Sequence, residues 1–364
     1  MIDLNSHEWH RRLNARFIEL GGAEAVEHYG DPAGEIAVLH NSAGVLDLSF
    51  RSRICLTGAD RVRFLHGQVT NDVKNLRVGR GCYAALVTAK GKMESDFNVY
   101  CLPDELLLDF EPGLTGAVSP RLEKYIVSDD VQLADVASLY GLLSVQGPKA
   151  KAAVLGLGLV QDIPPEPFSF VTAADPAAGE MYLINQPRLG SSGFDLFVPS
   201  ASLGAVADKL LAAATAAGGC ACGWQAFETA RIEAGIPRFG ADMDATTLPL
   251  EAGIESRAVS YNKGCYIGQE VINRIHSFGH VNRELRGLRL AEDLTALPVK
   301  GDKLFHAGKE VGAITSAVKS PRLKANLALG YVRREANQLG TELTLRPAGR
   351  EITAKIVPLP FGPK

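Results

Sequence analysis

Apolar and polar positions follow two periods along the chain, which predicts a mixture of helices and strands. In EWHRRLNARFIELGG, Trp9, Leu13, Phe17 and Leu20 are three or four residues apart, so one helix is predicted that stops at the glycine pair. The segment ASLGAVADKLLAAATAAGG is rich in alanine and leucine and also predicts a helix. These two segments carry the helical period along their whole length.

Between them, short β-rich segments alternate with turn residues. RSRICLTGADRVRFLHGQVTNDV predicts a strand, a tight turn and a helix with Asp60 as its N-cap, followed by a TND turn. GCYAALVTAKGKMESDFNVYCL and DELLLDFEP predict hairpins, because glycine, lysine, proline and aspartate interrupt them. SPRLEKYIVSDDVQLADV and LYGLLSVQGPKAKAAVLGL each predict one helix and one strand, and QDIPPEPFSFVTAADPAAG predicts a surface excursion.

From about residue 285 the pattern changes to short runs rich in β-branched residues, separated by glycine, proline and charged turns. This spacing predicts a separate small all-β barrel at the C-terminus. A chain of 364 residues is long for one core, so two or three domains are expected.

Composition and charge narrow the classes of function. The 38 basic and 41 acidic side chains give a net charge of -3, which argues against a general nucleic-acid binder. No apolar run reaches the length of a membrane span, and the N-terminal residues lack the pattern of a secretory signal. A cytoplasmic location is therefore expected, with the six cysteines as reduced thiols.

Three motifs carry candidate chemistry. CAC at 220–222 resembles half of a soft-metal site, but no second close-spaced pair follows, so a small-residue helix terminus is predicted. In RIEAGIPRFGADMD, a helix bearing Arg231 and Glu233 runs into a glycine-rich loop with two aspartates, either at a cleft or as a solvated surface loop.

In KGCYIGQEVINRIH, Cys265 precedes a predicted helix and lies near Lys263. That setting favours the thiolate, yet a buried structural thiol remains an equal alternative.

KGCYIGQE and its flanks resemble the signature of the YgfZ family, bacterial folate-binding proteins related to the glycine-cleavage T-protein. The resemblance extends in order over LTGADRVRFLHGQVTNDV, GKMESDF, RIEAGIPRFGADMD, LPLEAGI and GKEVGAITSAVKSPRLKANLALGYVRRE. It implies an α+β fold of three domains in a ring, with two interleaved α+β domains and a C-terminal β-barrel. The expected limits are 1–137, 138–284 and 285–364.

The resemblance also implies the site residues. Cys265, Lys263 and Asp96 are the expected catalytic or reactive groups. Tetrahydrofolate is the expected cofactor, with Arg231 pairing one of its carboxylates. The other expected folate-binding residues are Glu233, Asn71, Asp72, Tyr83 and Gln269.

Two residues depart from the aminomethyltransferase branch of these relatives. Ser95 stands before Asp96 where that branch has two adjacent acids, and Ser191 in LGSSGFD stands where it has a pterin-binding glutamate. A serine cannot accept paired donors from a pterin ring as a carboxylate does.

The function implied by the resemblance is therefore a tetrahydrofolate-binding accessory protein in iron–sulfur cluster assembly or repair, with Cys265 as its functional thiol. The expected partners are iron–sulfur enzymes or assembly proteins, with neither membrane nor direct nucleic-acid binding. The alternative is a folate-dependent aminomethyltransferase or other one-carbon transferase, in which Asp96 is the acid–base group. A demethylating module for a small amine is a third reading, disfavoured because no dinucleotide fingerprint is found.

Overall fold

A computed structural model describes residues 4–294, 296–346 and 351–362. The helices are α1 His7–Arg12, α2 Pro32–Asn41, α3 Arg61–Gln68, α4 Thr115–Glu123, α5 Ala150–Gly156, α6 Leu203–Ala216, α7 Trp224–Glu233, α8 Glu255–Ala258 and α9 Gln269–Phe278. The strands are β1 Arg16–Leu20, β2 Ala23–His28, β3 Gly44–Asp47, β4 Ser52–Thr57, β5 Arg80–Val87, β6 Met93–Cys101, β7 Leu106–Phe110, β8 Gln132–Asp135, β9 Tyr140–Gln146, β10 Phe170–Asp175, β11 Gly179–Asn185, β12 Gly193–Pro199, β13 Cys220–Ala221, β14 Arg283–Leu290, β15 Lys303–His306, β16 Lys309–Ser320, β17 Ala325–Arg333, β18 Glu342–Leu345 and β19 Ile352–Val357.

Two sheets form the frameworks of two α+β domains. One has the order β10-β11-β12-β9-β3-β13 and is antiparallel except that β13 runs parallel to β3. Helices α5 and α6 pack on each other and on this sheet, and bury alanine, valine and leucine side chains there. The other sheet has the order β5-β6-β7-β4-β8, and α4 packs against its β4 and β8. β1 and β2 form a separate hairpin.

The C-terminal strands close into a six-stranded barrel with the order β14-β17-β16-β15-β18-β19. Its interior is aliphatic, with Leu288, Ile314, Val332, Leu343 and Ile356 almost completely buried. The predicted α+β class with a C-terminal barrel is therefore confirmed.

The chain divides into two compact units. The N-terminal unit contains the residues up to Ala84 and Asp96–Ala230, and the C-terminal unit contains Ala85–Ser95 and the residues from Arg231 onward. The tip of the β5–β6 hairpin is thus assigned to the unit that also holds the barrel. The domain limits given by the resemblance stay predictions.

Three local predictions are wrong. The N-terminal helix ends at Arg12, because β1 pairs with β2 through a turn in which Gly21 has φ 60°. The predicted surface excursion contains β10, whose Phe170 is buried against its neighbours. CAC is not a helix terminus, since Cys220 pairs with Gly44 in the sheet. In each case tertiary pairing overrides the local pattern.

Candidate functional site

Asp96 in β6 and Tyr83 in β5 lie on neighbouring strands of the five-stranded sheet. The Tyr83 hydroxyl donates to Asp96 Oδ2 over 2.6 Å. Asn71, in the turn after α3, donates from Nδ2 to the Tyr83 carbonyl oxygen over 2.8 Å. The structure therefore brings three of the predicted site residues into one hydrogen-bonded chain within the N-terminal unit.

The fourth predicted residue of this unit, Asp72, has its carboxylate occupied in the same turn. Its Oδ2 accepts a hydrogen bond of 2.6 Å from Asn75 Nδ2, and its backbone nitrogen donates to Asn71 Oδ1 over 2.8 Å. These contacts make Asp72 a turn-stabilising residue that helps to orient Asn71.

The environment of Asp96 raises its pKa above the usual value for an aspartate. Burial raises the pKa of Asp96 to about 6, and the neighbouring Glu111 carboxylate adds to the rise. The hydrogen bond from Tyr83 and the positive charge of Arg51 oppose it. A half-buried carboxyl with this pKa can exchange a proton near neutral pH, which is the property required of a general acid or base.

A buried ion network, of which Arg51 and Glu111 act on the Asp96 carboxyl through their charges, joins the two sheets. Arg51 donates to Asp109 over 2.7 Å and to Glu111 over 2.6 Å. Arg188 Nη2 lies 2.8 Å from Asp109 Oδ2 and 2.7 Å from Asp195 Oδ2. Burial opposes ionisation of Asp109, yet the two arginines hold its pKa well below the usual range.

The sequence reasoning missed this network. The sequence signal was a charged residue inside an apolar strand: Asp109 follows three consecutive leucines in β7. Arg188 lies in the turn between β11 and β12. Ser191, also in that turn, is half-buried, and Ser95 is fully buried. Two titratable side chains lie within four residues of Ser191 in the sequence, Arg188 and Asp195, and they pair with each other.

In the C-terminal unit, Cys265 is exposed to solvent. Lys263 is buried, and its Nζ lies 4.7 Å from the centroid of the Tyr266 ring, a cation–π contact. Gln269 begins α9, so the predicted helix is confirmed. The sulfur therefore lies in a short loop whose lysine is fixed by an aromatic ring.

Close backbone approach fixes the other end of this loop. Gly268 has φ 86°, and a Cβ added there would lie 2.5 Å from the Thr88 carbonyl oxygen. Only glycine satisfies both conditions. The loop that presents Cys265 is thus held against the tip of the β5–β6 hairpin.

Arg231 and Glu233 at the end of α7 are both almost completely buried. Arg231 pairs with Asp242 and donates to the Ile236 carbonyl over 3.2 Å and to Ser316 Oγ over 3.0 Å. Glu233 accepts from Ser320 and, over 3.0 Å, from Arg322 Nε. Both side chains connect α7 to β16 and the following turn, so the expected pairing of Arg231 with a folate carboxylate stays a prediction.

The predicted residues therefore fall into two groups. Asn71, Asp72, Tyr83 and Asp96 belong to the N-terminal unit; Arg231, Glu233, Lys263, Cys265 and Gln269 belong to the C-terminal unit. In the part of the chain that the structure describes, no cluster of three or more His, Cys, Asp or Glu side chains is placed to hold a metal ion. Nor does any helix there have the length and apolar character needed to cross a membrane.

Comparison with known proteins gives matches over nearly the whole chain. Residues 6–263 match the family described as GCVT N-terminal domain, and residues 283–362 match the glycine cleavage T-protein C-terminal barrel domain. An aminomethyltransferase of Geobacillus thermodenitrificans is 30% identical over 351 residues, which are 96% of this chain and 95% of that protein. One of Bacillus subtilis is 27% identical over 352 residues, 97% of this chain and 96% of that protein.

The fold also matches a solved structure. The crystal structure of the glycine cleavage system aminomethyltransferase T from Bartonella henselae superposes with a TM-score of 0.87. It covers 99% of this chain and 98% of that one at 23% sequence identity. At this identity the likeness concerns the fold alone.

Proposed function

Because the chain belongs to the glycine-cleavage T-protein family, we propose that it binds tetrahydrofolate and transfers a one-carbon unit from an amine, with Asp96 as the acid–base group. Tetrahydrofolate is the cofactor of this family, so the expected cofactor is confirmed at the level of the family. The relatives named aminomethyltransferase support the transferase alternative more directly than the accessory role.

The observation that carries this proposal is the Tyr83–Asp96 pair. The partly exposed carboxyl can accept a hydrogen bond from an amine or from a ring N–H, which suits a reduced pterin and the amine that donates the carbon. Tetrahydrofolate, when bound, supplies the nitrogen atoms that accept the one-carbon unit. Asp96 would hold or remove the amine proton, and Tyr83 would orient its Oδ2.

The test is turnover with tetrahydrofolate and an aminomethyl donor, followed by the appearance of methylenetetrahydrofolate. We expect Asp96→Asn to lower the rate by about 10²–10⁴-fold, since the amide cannot exchange the proton. Asp104→Asn, in the exposed turn after β6, is the matched control and should leave the rate unchanged. Equal rates for Asp96→Asn and wild type would refute the assignment of Asp96.

A second candidate function rests on Cys265. The exposed thiol in KGCYIGQE, together with serines at positions 95 and 191, supports a tetrahydrofolate-binding accessory protein of the YgfZ branch that serves iron–sulfur enzymes. In this role the thiol would contact a client or an assembly protein. Membership of the YgfZ branch and the iron–sulfur partners both belong to this second proposal.

The two candidates make opposite predictions for two variants. In a deletion strain of the native host, the accessory role requires that Cys265→Ser fails to restore cluster-dependent enzymes and tRNA thiomodification. Asp96→Asn should restore them. Transferase activity in vitro should instead be lost in Asp96→Asn and kept in Cys265→Ser. If the deletion strain keeps normal cluster enzymes under oxidative stress, the accessory role is excluded.

A further inference from the structure

The C-terminal unit contains a cavity of about 920 Å³ that has an excess of positive charge. Its lining includes more cations than carboxylates: Lys92, Arg283, Arg333 and Arg334 against Glu251 and Glu335. None of these residues was singled out by the sequence, and none belongs to the candidate site. The cavity is therefore a separate feature that needs its own explanation.

The first observation is a pair of like charges. In the antiparallel register of β14 and β17, Arg283 stands directly opposite Arg333, and both side chains line the cavity. Directly opposite residues have Cβ atoms about 4.5–5.5 Å apart on the same face of the sheet, and like charges there destabilise it. An anion bound between the two guanidinium groups would reverse the sign of this interaction.

The second observation is that part of the site is held in place. Arg283 lies over the Tyr331 ring at 4.6 Å, and its Nη2 donates to the Thr246 carbonyl over 3.1 Å. Lys92 Nζ donates to the same carbonyl over 2.7 Å. Both cations share one carboxylate, Glu251, at 3.3 Å and 3.7 Å. A single carboxylate neutralises only one of them.

The other two arginines of the lining are not engaged. Arg333 and Arg334 are exposed, and their side chains have no hydrogen bond or ion pair within residues 4–294, 296–346 and 351–362. The cavity thus combines one wall held by hydrogen bonds with two exposed arginines that have no counter-charge in the described part of the chain. Guanidinium groups bind the oxygens of phosphates and carboxylates in pairs.

We propose that this cavity binds a small polyvalent oxyanion, held between Arg283 and Arg333 with Lys92 as the third positive group. The ligand carries at least two phosphate or carboxylate groups, because more than one cation is left without a counter-charge. The concave shape favours a small molecule over a nucleic-acid strand. This site is independent of the proposed transferase or accessory function.

The test is calorimetric titration of the full chain with inorganic pyrophosphate and, separately, with citrate, at constant ionic strength set by sodium chloride. Arg333→Ala should weaken binding by about tenfold or more, since it removes a charge-assisted hydrogen-bonding group. Arg289→Ala is the matched control, because Arg289 is an exposed arginine of β14, the strand that pairs with β17, and does not line the cavity. Binding of pyrophosphate alone identifies a phosphate ligand, and binding of citrate alone identifies a carboxylate ligand.

Thermal unfolding supplies a second readout that a merely structural arginine would not give. Without the anion, Arg333→Ala should unfold at the same temperature as wild type or higher, because a repulsion is removed. With pyrophosphate or citrate, whichever binds, only wild type and Arg289→Ala should gain stability. The proposal is overturned if neither anion binds, if Arg333→Ala binds as well as wild type, or if only a single-stranded oligonucleotide binds.

Discussion

At the residue scale, Asp96 is a carboxyl whose ionisation is opposed by burial and assisted by one hydroxyl. Its pKa of about 6 means that half of the molecules carry the proton near that pH. A group that acts as a base must be ionised, so activity that depends on Asp96 should rise with pH through this value.

This dependence can be shifted by one substitution. Tyr83→Phe removes the hydrogen bond that stabilises the ionised carboxylate, so the pKa of Asp96 should rise and the midpoint of the rate profile should move to higher pH. The measurement is kcat/KM for one-carbon transfer between pH 5 and 9. An unchanged midpoint, or a shift to lower pH, would show that another group governs the profile.

Gly268 permits a prediction about the loop that carries Cys265. Gly268→Ala should destabilise the C-terminal unit by about 2 kcal/mol or more, because it adds left-handed strain and a clash with Thr88. Gly240→Ala is the control: Gly240 has φ 84° and no heavy atom within 4 Å of an added Cβ, so only the strain of about 1 kcal/mol applies. Urea unfolding of both variants measures the difference. Equal decreases in the free energy of unfolding would mean that the contact with Thr88 does not contribute to stability.

At the scale of elements, the ion network holds β12 against β7. Arg188→Ala should destabilise the N-terminal unit by about 3–5 kcal/mol, because it leaves the buried carboxylate of Asp195 without its counter-charge. Arg80→Ala, which removes an exposed ion pair with Glu166, should cost at most about 1 kcal/mol. A double variant, Arg188→Met with Asp195→Asn, should recover part of the lost free energy of unfolding, measured by chemical denaturation. If it recovers none, the loss in Arg188→Ala is due to packing and not to the unpaired charge.

The elements that the sequence predicted correctly are those with strong local signals. Helix α6 is rich in alanine and leucine, and α3 begins after Asp60 as predicted, although the Asp60 side chain makes no capping hydrogen bond. The prediction of one long N-terminal helix failed because the apolar residues of β1 continue the helical spacing of α1. The same residues form a strand that pairs with β2. Strand β13 has only two residues, so its existence depends on the partner strand β3 and not on its own composition.

At the scale of the whole molecule, the class of fold and the barrel could be predicted because each depends on patterns that repeat along the chain. The assignment of Ala85–Ser95 to the C-terminal unit could not. It depends on contacts between residues far apart in sequence, such as the 2.9 Å hydrogen bond from the Met93 nitrogen to the Thr247 carbonyl. Of the candidate site, Asp96 and Cys265 could be named from motifs, but the ion network behind Asp96 could not.

The burial of Arg231 has a consequence for natural variation in this protein. Its guanidinium group is enclosed by Asp242, Ser316 and the Ile236 carbonyl, so a replacement would lower the amount of intact protein in a cell before any ligand was tested. Replacements at Cys265, whose sulfur is open to solvent, should leave cellular abundance unchanged. A survey that measures both protein abundance and growth would therefore separate variants that lower the amount of the protein from variants that remove its function at normal abundance.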